Sequence, residues 1–373
     1  MKKQTVVIGM SGGVDSSVSA YLLKQQGYDV IGLFMKNWEG DDTDDHCSAE
    51  SDYADVKRVC EVIGIPYYSI NFAKQYMDNV FSQFLKGLEQ GYTPNPDILC
   101  NREIKFGPFL EYAKKIGADF IATGHYARVE HTPNGTHLLK GIDESKDQSY
   151  FLCGLSQEQL SKVMFPIGSI KKQEVRKIAE KLGLVTATKK DSTGICFIGE
   201  RKFRDFLKGY FGNQMGEIRT LEEKVIGKHN GLMYYTLGQR KGLGIGGVQG
   251  HDDNKWFVVK KNLKANVLYV NNGECDELFT SGLVATDFNF IGSKSDSDVL
   301  FAKKLGAKTR YRQPDQICVV ETVCDDKNSR NDLSKNKIRV NFEKPQRAVT
   351  PGQWVVLYDG DRCLGGGVIV ENK

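Results

Sequence analysis

Nine residues near the start of the chain, Gly9-Met10-Ser11-Gly12-Gly13-Val14-Asp15-Ser16-Ser17, limit what it can fold into more than any other stretch. The apolar run Thr5-Val6-Val7-Ile8 before them reads as a buried strand, and Val18-Ser19-Ala20-Tyr21-Leu22-Leu23 after them as an amphipathic helix. A strand, a glycine-rich turn and a helix start make an anion cradle. The first N–H groups of a helix lack internal partners and the dipole is positive there, while Gly12 and Gly13 have no Cβ to keep a phosphate away. Ser16 and Ser17 supply hydroxyl donors or a helix cap. The loop has neither the Gly-Lys-Ser/Thr ending of a Walker loop nor the three spaced glycines of a dinucleotide fold. It has no lysine, and Asp15 would repel an anion unless it caps the helix or holds a cation such as magnesium.

The following segments keep the alternation of strand and helix. Tyr28 to Met35 reads as a second strand after Gly27, and Val56, Val59, Cys60 and Ile63 recur at helical spacing, which makes Cys60 a core residue. Ile65–Ile70 reads as a third strand, Lys74–Glu89 as a helix and Phe120–His125 as a fourth strand. This pattern predicts an α/β fold with a parallel sheet and ligands at the carboxyl ends of its strands. Met35 and Gly124 stand at such ends, where they either touch a nucleotide or simply pack and turn.

Two cysteines stand apart from the rest. In Thr93-Pro94-Asn95-Pro96-Asp97-Ile98-Leu99-Cys100-Asn101-Arg102 the prolines argue against helix up to Asp97, and Phe106, Phe109, Leu110 and Ala113 predict a helix starting near Asn101. That places Cys100 at a helix N-terminus beside Arg102 and Lys105, conditions that favour a thiolate. Asp97 is then a proton-transfer carboxylate or a cap. Cys196 lies in the small, polar run Lys189-Lys190-Asp191-Ser192-Thr193-Gly194-Ile195-Cys196, a cationic loop that suits a reactive thiol. A sulfur-carrying thiol needs a second thiol to resolve it, so the two cysteines strengthen each other. Cys153, in an apolar run, reads as packing, and Lys171, Lys172, Arg176, Lys177 and Lys181 as a solvated or phosphate-facing helix side.

Between Arg128 and Gly141 a hairpin turns at Asn134-Gly135, and from about Gly212 the pattern changes to short strands split by glycine turns, with Leu232–Tyr235 among them. Six strand-like runs beyond Gly282 predict a small antiparallel barrel. The expected units are 1–211, an α/β nucleotide-binding domain; 212–281, a small β-rich connector; and 282–373, the barrel. Lys303, Lys304, Lys308, Arg310, Tyr311 and Arg312 form the densest basic and aromatic cluster, suited to an RNA backbone or to guarding an edge strand. Overall charge decides little: 51 Lys and Arg against 47 Asp and Glu leave +4. Nine cysteines without Cys-x-x-Cys pairs argue against a disulfide framework or a zinc ribbon, and no apolar run is long enough for a leader or a membrane span, so a cytoplasmic protein is expected.

Ser-Gly-Gly-Val-Asp-Ser resembles the pyrophosphate loop of ATP pyrophosphatases. With Asn-Pro-Asp-Ile-Leu-Cys-Asn, Lys-Asp-Ser-Thr-Gly-Ile-Cys-Phe and Arg-Tyr-Arg-Gln-Pro, the chain resembles the bacterial tRNA-specific 2-thiouridylase family from end to end. The resemblance implies a sulfurtransferase that uses ATP with Mg2+ to adenylate the 2-carbonyl of the wobble uridine in tRNAs for Lys, Glu and Gln. Sulfur comes as a persulfide from a cysteine desulfurase or a sulfur-relay protein. It further implies Cys196 as persulfide carrier, Cys100 as the thiol that attacks or resolves through a transient disulfide, and Asp97 as acid/base. Gly9, Met10, Ser11, Gly12, Gly13, Val14, Asp15, Ser16, Met35 and Gly124 would contact ATP, with no protein-bound metal. Asn95, Pro96 and Asp97 would hold the flipped base, and His125, Lys146, Asp147, Gln148, Arg310, Tyr311 and Gln353 would touch tRNA. An amide-forming or argininosuccinate-type synthetase shares the loop but needs no thiol pair.

Overall fold

The computed structural model describes residues 3–39, 48–191, 203–245, 254–292, 297–323 and 337–372. Cys196, the acidic stretch after Glu39 and the polar loop 325–335 therefore lie outside the described residues.

The expected alternation builds a parallel sheet. β1 (Thr5–Met10), α1 (Val14–Gln25), β2 (Asp29–Lys36), α2 (Ser48–Ile63) and β3 (Tyr67–Asn71) run in that order. The next helix is broken into α3 (Ala73–Tyr76), a π turn (Met77–Phe81) and α4 (Ser82–Glu89). Then come α5 (Pro96–Cys100), a second π turn (Asn101–Lys105), α6 (Pro108–Lys115) and β4 (Phe120–Ala122). Neighbouring strands pair in the order β3-β2-β1-β4-β7, β7 being Val163–Met164. Alternate residues of β1 serve opposite faces: Val6 and Ile8 pack with Ala20, Leu23, Val56 and Cys60, whereas Val7 joins Leu33, Phe81, Phe84, Cys100 and Phe109. Burial pushes the Cys60 thiol up to about 12, in keeping with a core role. Because β2 and β4 flank β1 on opposite sides, the chain crosses over at the carboxyl end of β1, where open α/β sheets bind ligands.

The Asn134-Gly135 hairpin exists, as β5 (Ala127–Thr132) and β6 (Gly135–Lys140), but it does not join the parallel sheet. It adds instead to the C-terminal barrel, Leu138 and Leu139 pairing with Cys363 and Arg362. After α7 (Gln157–Leu160), α8 (Lys172–Lys181) and α9 (Phe203–Phe211), a smaller sheet has the order β10-β11-β8-β9. Its strands are β8 (Gly216–Arg219), β9 (Val225–His229), β10 (Trp256–Asn262) and β11 (Val267–Asn272). The expected strand Leu232–Tyr235 is a short 3-10 turn at Leu232–Tyr234, where its apolar side chains fill the core between domains instead of alternating across a sheet.

The barrel consists of β12 (Phe279–Phe290), β13 (Leu305–Lys308), β14 (Gln316–Val323), β15 (Lys337–Arg347), β16 (Trp354–Asp359) and β17 (Arg362–Asn372), with a single helical turn, α10 (Val299–Ala302), before β13. The order β12-β15-β14-β13-β16-β17 closes through β12–β17, so all six strands lose their free edges. Leu283, Ala285, Val320, Val340, Val355, Leu357 and Ile369 alternate inward to fill it. Among the described residues no helix is long and apolar enough to cross a membrane.

Candidate active site

The glycine loop sits at the crossover as a strand-to-helix turn. Gly12 takes φ +72°, a left-handed conformation, and a Cβ there would stand 2.8 Å from the Asp52 carbonyl. Gly13 is the N-cap residue of α1, with no side-chain cap. The serines turn back on the loop: Ser16 Oγ and Ser17 Oγ donate to the Gly13 carbonyl at 3.1 and 2.8 Å, and Ser16 Oγ accepts from Ser11 N–H at 3.2 Å. Of the two roles open to Ser16 and Ser17, hydroxyl donor or helix cap, neither serine caps, because Gly13 begins the helix one turn ahead of them. Ser11 faces solvent, and Met10, Val14 and Met35 are buried beneath. Gly124 presses on the first turn of α1, since a Cβ there would lie 2.7 Å from Ser16 N. Met35 reaches Gly9, its Cε 3.0 Å from where a Cβ of Gly9 would stand.

Asp15 has a cation, and it is a lysine from 157 residues away. Lys172 Nζ lies 2.7 Å from both Asp15 oxygens and 2.7 Å from Asp191 Oδ1, while Tyr126 OH donates to Asp15 Oδ1 at 2.7 Å. Lys172 is buried and paired to two carboxylates, which corrects its expected place on a solvated or phosphate-facing helix side. The missed signal was its spacing: Lys172, Val175 and Ala179 share one face of α8. Burial and the Asp15 charge raise the Tyr126 hydroxyl, so it stays a donor. For Asp191, burial pulls upward, but the hydrogen bonds and charges of Lys146 and Lys172 outweigh it and hold the carboxyl at about 2.

A helix begins five residues earlier than the prolines suggested. Asn95 caps it, Oδ1 accepting from Asp97 N–H at 3.2 Å, and Pro96 occupies the first position, where its missing N–H costs nothing. Cys100 is consequently the last residue of α5, not an N-terminal one, and it is 0 % exposed beside Ile98, Ile104 and Phe106. The helix-dipole argument for its thiolate therefore does not hold. Arg102 Nε meanwhile pairs with Glu103 at 2.7 Å. Thr93, just upstream, is clamped to the barrel: its N–H donates to the Pro351 carbonyl at 2.9 Å and its carbonyl accepts from Gln353 Nε2 at 2.6 Å. Pro94 and Pro96 line a cavity of about 620 Å³ with Arg204, Met233, Tyr234 and Gln239.

The remaining candidate positions converge from the barrel side. Asp147 is buried and accepts from Gly141 N–H, Ser149 N–H and Ser149 Oγ, with Lys308 Nζ 3.3 Å away. Gln148 pairs with Tyr126 through backbone and side chain. Lys146 holds Asp191 at 2.7 Å, and its carbonyl meets Tyr311 OH at 3.5 Å. Tyr311 packs against Phe151 with ring centroids 4.5 Å apart and the planes tilted by 45°, and Asn101 Nδ2 donates to the Phe151 carbonyl at 2.9 Å. A chain of contacts thus links Asp15 through Lys172, Asp191, Lys146, Tyr311 and Phe151 to the residue after Cys100.

The basic cluster is largely spent on ion pairs. Lys303 meets Asp359 and Lys304 meets Glu343, while Lys308 is held by Asp147 and Asp315; Arg310 and Arg312 remain exposed. His125 is 8 % exposed between Phe106 and Phe165, with Nδ1 2.7 Å from Thr123 Oγ1. Burial, then the charge of Lys105, push its pKa well below the ordinary range, leaving it neutral.

Comparison with known proteins names the arrangement. A family model described as the tRNA methyl transferase HUP domain matches residues 4–200, its PRC-barrel domain 204–272, and an aminomethyltransferase beta-barrel domain 280–369. The tRNA-specific 2-thiouridylase MnmA of Streptococcus mutans is 56% identical over 371 residues, 98% of this chain and 95% of the relative. That of Actinobacillus succinogenes is 55% identical over 369 residues, 98% of this chain and 92% of its own. Among solved structures, the U34-tRNA thiolase NcsA from Methanococcus maripaludis aligns at 20% identity and TM-score 0.34, covering 57% of this chain and 69% of its own, too remote to argue from. Identity at this level along nearly the whole length leaves one assignment: the chain belongs to the tRNA-specific 2-thiouridylase family.

Proposed function

We propose that the chain is a tRNA-uridine 2-sulfurtransferase acting on the wobble uridine of tRNAs for Lys, Glu and Gln. The observation that carries this reading, beside the family, is the glycine loop at the sheet crossover, joined by continuous contacts to the barrel's Tyr311 and to Asn101, the residue after Cys100.

ATP lies along Gly9–Ser16, with Met35 and Gly124 lining its site. The uridine 2-oxygen attacks the α-phosphate, and pyrophosphate leaves. This turns a poor leaving group into AMP. The terminal sulfur of a Cys196 persulfide then attacks C2, and AMP departs with the former carbonyl oxygen. The Cys100 thiolate attacks the Cys196 sulfur, which leaves the outer sulfur on C2 and joins the two cysteines in a disulfide; an external dithiol reduces it. Asp97 serves the proton transfers, and Asn95 and Pro96 hold the flipped base. Because Cys100 is enclosed in the core, the resolving thiol is shielded from stray oxidants until RNA is bound.

Magnesium would come with the nucleotide; Asp15, the one acid in the loop, gives both oxygens to Lys172. The persulfide comes from a cysteine desulfurase or a sulfur-relay protein, and His125, Lys146–Gln148, Arg310, Tyr311 and Gln353 form the tRNA side.

The test is mass analysis of tRNA anticodon fragments after incubation with ATP and a persulfide source. Wild type should add one sulfur in place of one oxygen, and Cys100→Ser and Cys196→Ser should abolish the product. Undiminished turnover by Cys196→Ser would point instead to an amide-forming or argininosuccinate-type synthetase.

A further inference from the structure

Three separate contacts fasten residues 186–191 onto the nucleotide loop. Thr186 Oγ1 donates to Ser17 Oγ at 3.1 Å, with both side chains buried. Lys189 Nζ pairs with Asp52 and Asp55 at 2.8 and 2.6 Å, and Asp52 is the residue whose backbone closes over Gly12. Asp191 accepts from Lys172, which grips Asp15 at the same time. From behind, Arg176 donates to the carbonyls of Ala187 and Lys189 and to the Asp191 carboxylate, and Lys146 completes the hold on Asp191. Ordering several long charged side chains around six residues costs conformational entropy and desolvation, more than the stem of an ordinary surface loop requires.

We propose that residues 186–191 are a positioning stem, which fixes the point from which the chain continues to Cys196 relative to the loop that holds the nucleotide, so that sulfur is delivered where adenylation has occurred. The proposal rests on the thiolation reading. Lys172, Lys189 and Asp191 are positioning residues, since their partners are protein groups and not reacting atoms. Cys196 stands five positions beyond Asp191, a reach of at most roughly 18 Å even when fully extended. A displaced starting point of a few ångströms is a large fraction of that reach. The fault expected from a loosened stem is therefore specific: the uridine is adenylated, but the adenylate is lost to water before sulfur arrives, giving back uridine and AMP.

Pyrophosphate release and 2-thiouridine formation, measured in the same reactions with full-length protein, ATP, unmodified tRNA and a cysteine desulfurase supplied with cysteine, separate the two steps. Lys189→Met and Arg176→Met, which loosen the stem without touching the Asp15–Lys172 pair, should release pyrophosphate within about threefold of the wild-type rate, yet form about ten to a hundred times less 2-thiouridine per pyrophosphate. Lys189→Arg, which keeps the charge, should recover about half of the coupling or more. An unchanged product-to-pyrophosphate ratio in both variants would overturn the proposal, whether the two rates stay normal or fall together. If wild type itself forms no 2-thiouridine while releasing pyrophosphate, the thiolation reading fails, and the stem proposal falls with it.

Discussion

Gly124 illustrates how much of this site is set by the absence of an atom. The turn after β4 approaches the first turn of α1 so closely that a methyl group would collide with backbone, at 2.7 Å from Ser16 N and 2.8 Å from the Asp15 carbonyl carbon. Backbone cannot yield as a flexible side chain can, so Gly124→Ala should push α1 and its loop away from the sheet. The expected cost is about 1–3 kcal/mol of stability, read as a lower urea midpoint, together with a raised KM for ATP. An unchanged KM would mean that the turn plays no part in shaping the nucleotide site. The sequence marked Gly124 as standing at a strand end, but not which neighbour excluded a side chain, because that neighbour is 108 positions away in the chain. Asp15 shows the same limit from the other side. A lone acid in a lysine-free loop demanded a cation, and the reading offered a helix cap or a metal; the cation is Lys172, whose own spacing along α8 already placed it on the core face.

At the scale of elements, periodicity read well and boundaries did not. Four of the five strands of the parallel sheet, the hairpin and the six-stranded barrel follow from alternation and turn residues, whereas the two-residue edge strand β7 was too short to show a pattern. Helix α5 was missed because proline was treated as a barrier, although at the first position of a helix it is favourable. That one boundary moved Cys100 from the positive end of a helix to the middle of a helical run that starts at Pro96 and continues through the π turn to Lys105. The hairpin's attachment to the barrel was beyond the reach of local patterns, since register between distant strands is fixed by tertiary packing. Strand β10 carries its own test. Lys261 Nζ donates to the Gly91 carbonyl at 2.8 Å, tying the small sheet to the first domain, and burial pushes its pKa down to about 8. In the unfolded chain the amine titrates near ~10.4, so below about pH 8 the fold bears the cost of a buried ammonium. That cost is relieved as the pH rises from about 8 to about 10.4, because the unfolded state then binds more protons than the native state. Urea midpoints for wild type and Lys261→Met should therefore diverge in favour of wild type over that range; parallel curves would show that the amine is not desolvated.

The whole molecule joins a nearly neutral chain to a polyanionic partner. The net charge is only +4, and among the described barrel residues Lys303, Lys304 and Lys308 are already paired to acids while Arg310 and Arg312 are exposed; we propose that these two arginines contribute to the grip on RNA. Log affinity for tRNA should fall linearly with log salt, by roughly 0.7 to 0.9 for each phosphate contacted. Filter binding between low and moderate salt measures the slope, and Arg310→Ala should lower it by about one contact. A flat dependence would contradict recognition through phosphates.

The hairpin β5–β6 also bears on how the protein is made. Its partner on β17 lies more than two hundred residues further along, so at ordinary ribosomal speed Leu138 and Leu139 wait roughly ten to forty-five seconds for Arg362 and Cys363 to emerge. During that interval the ribbon's outer edge is unsatisfied and open to mispairing with other nascent chains. A product truncated before β17 would keep that seam unsealed.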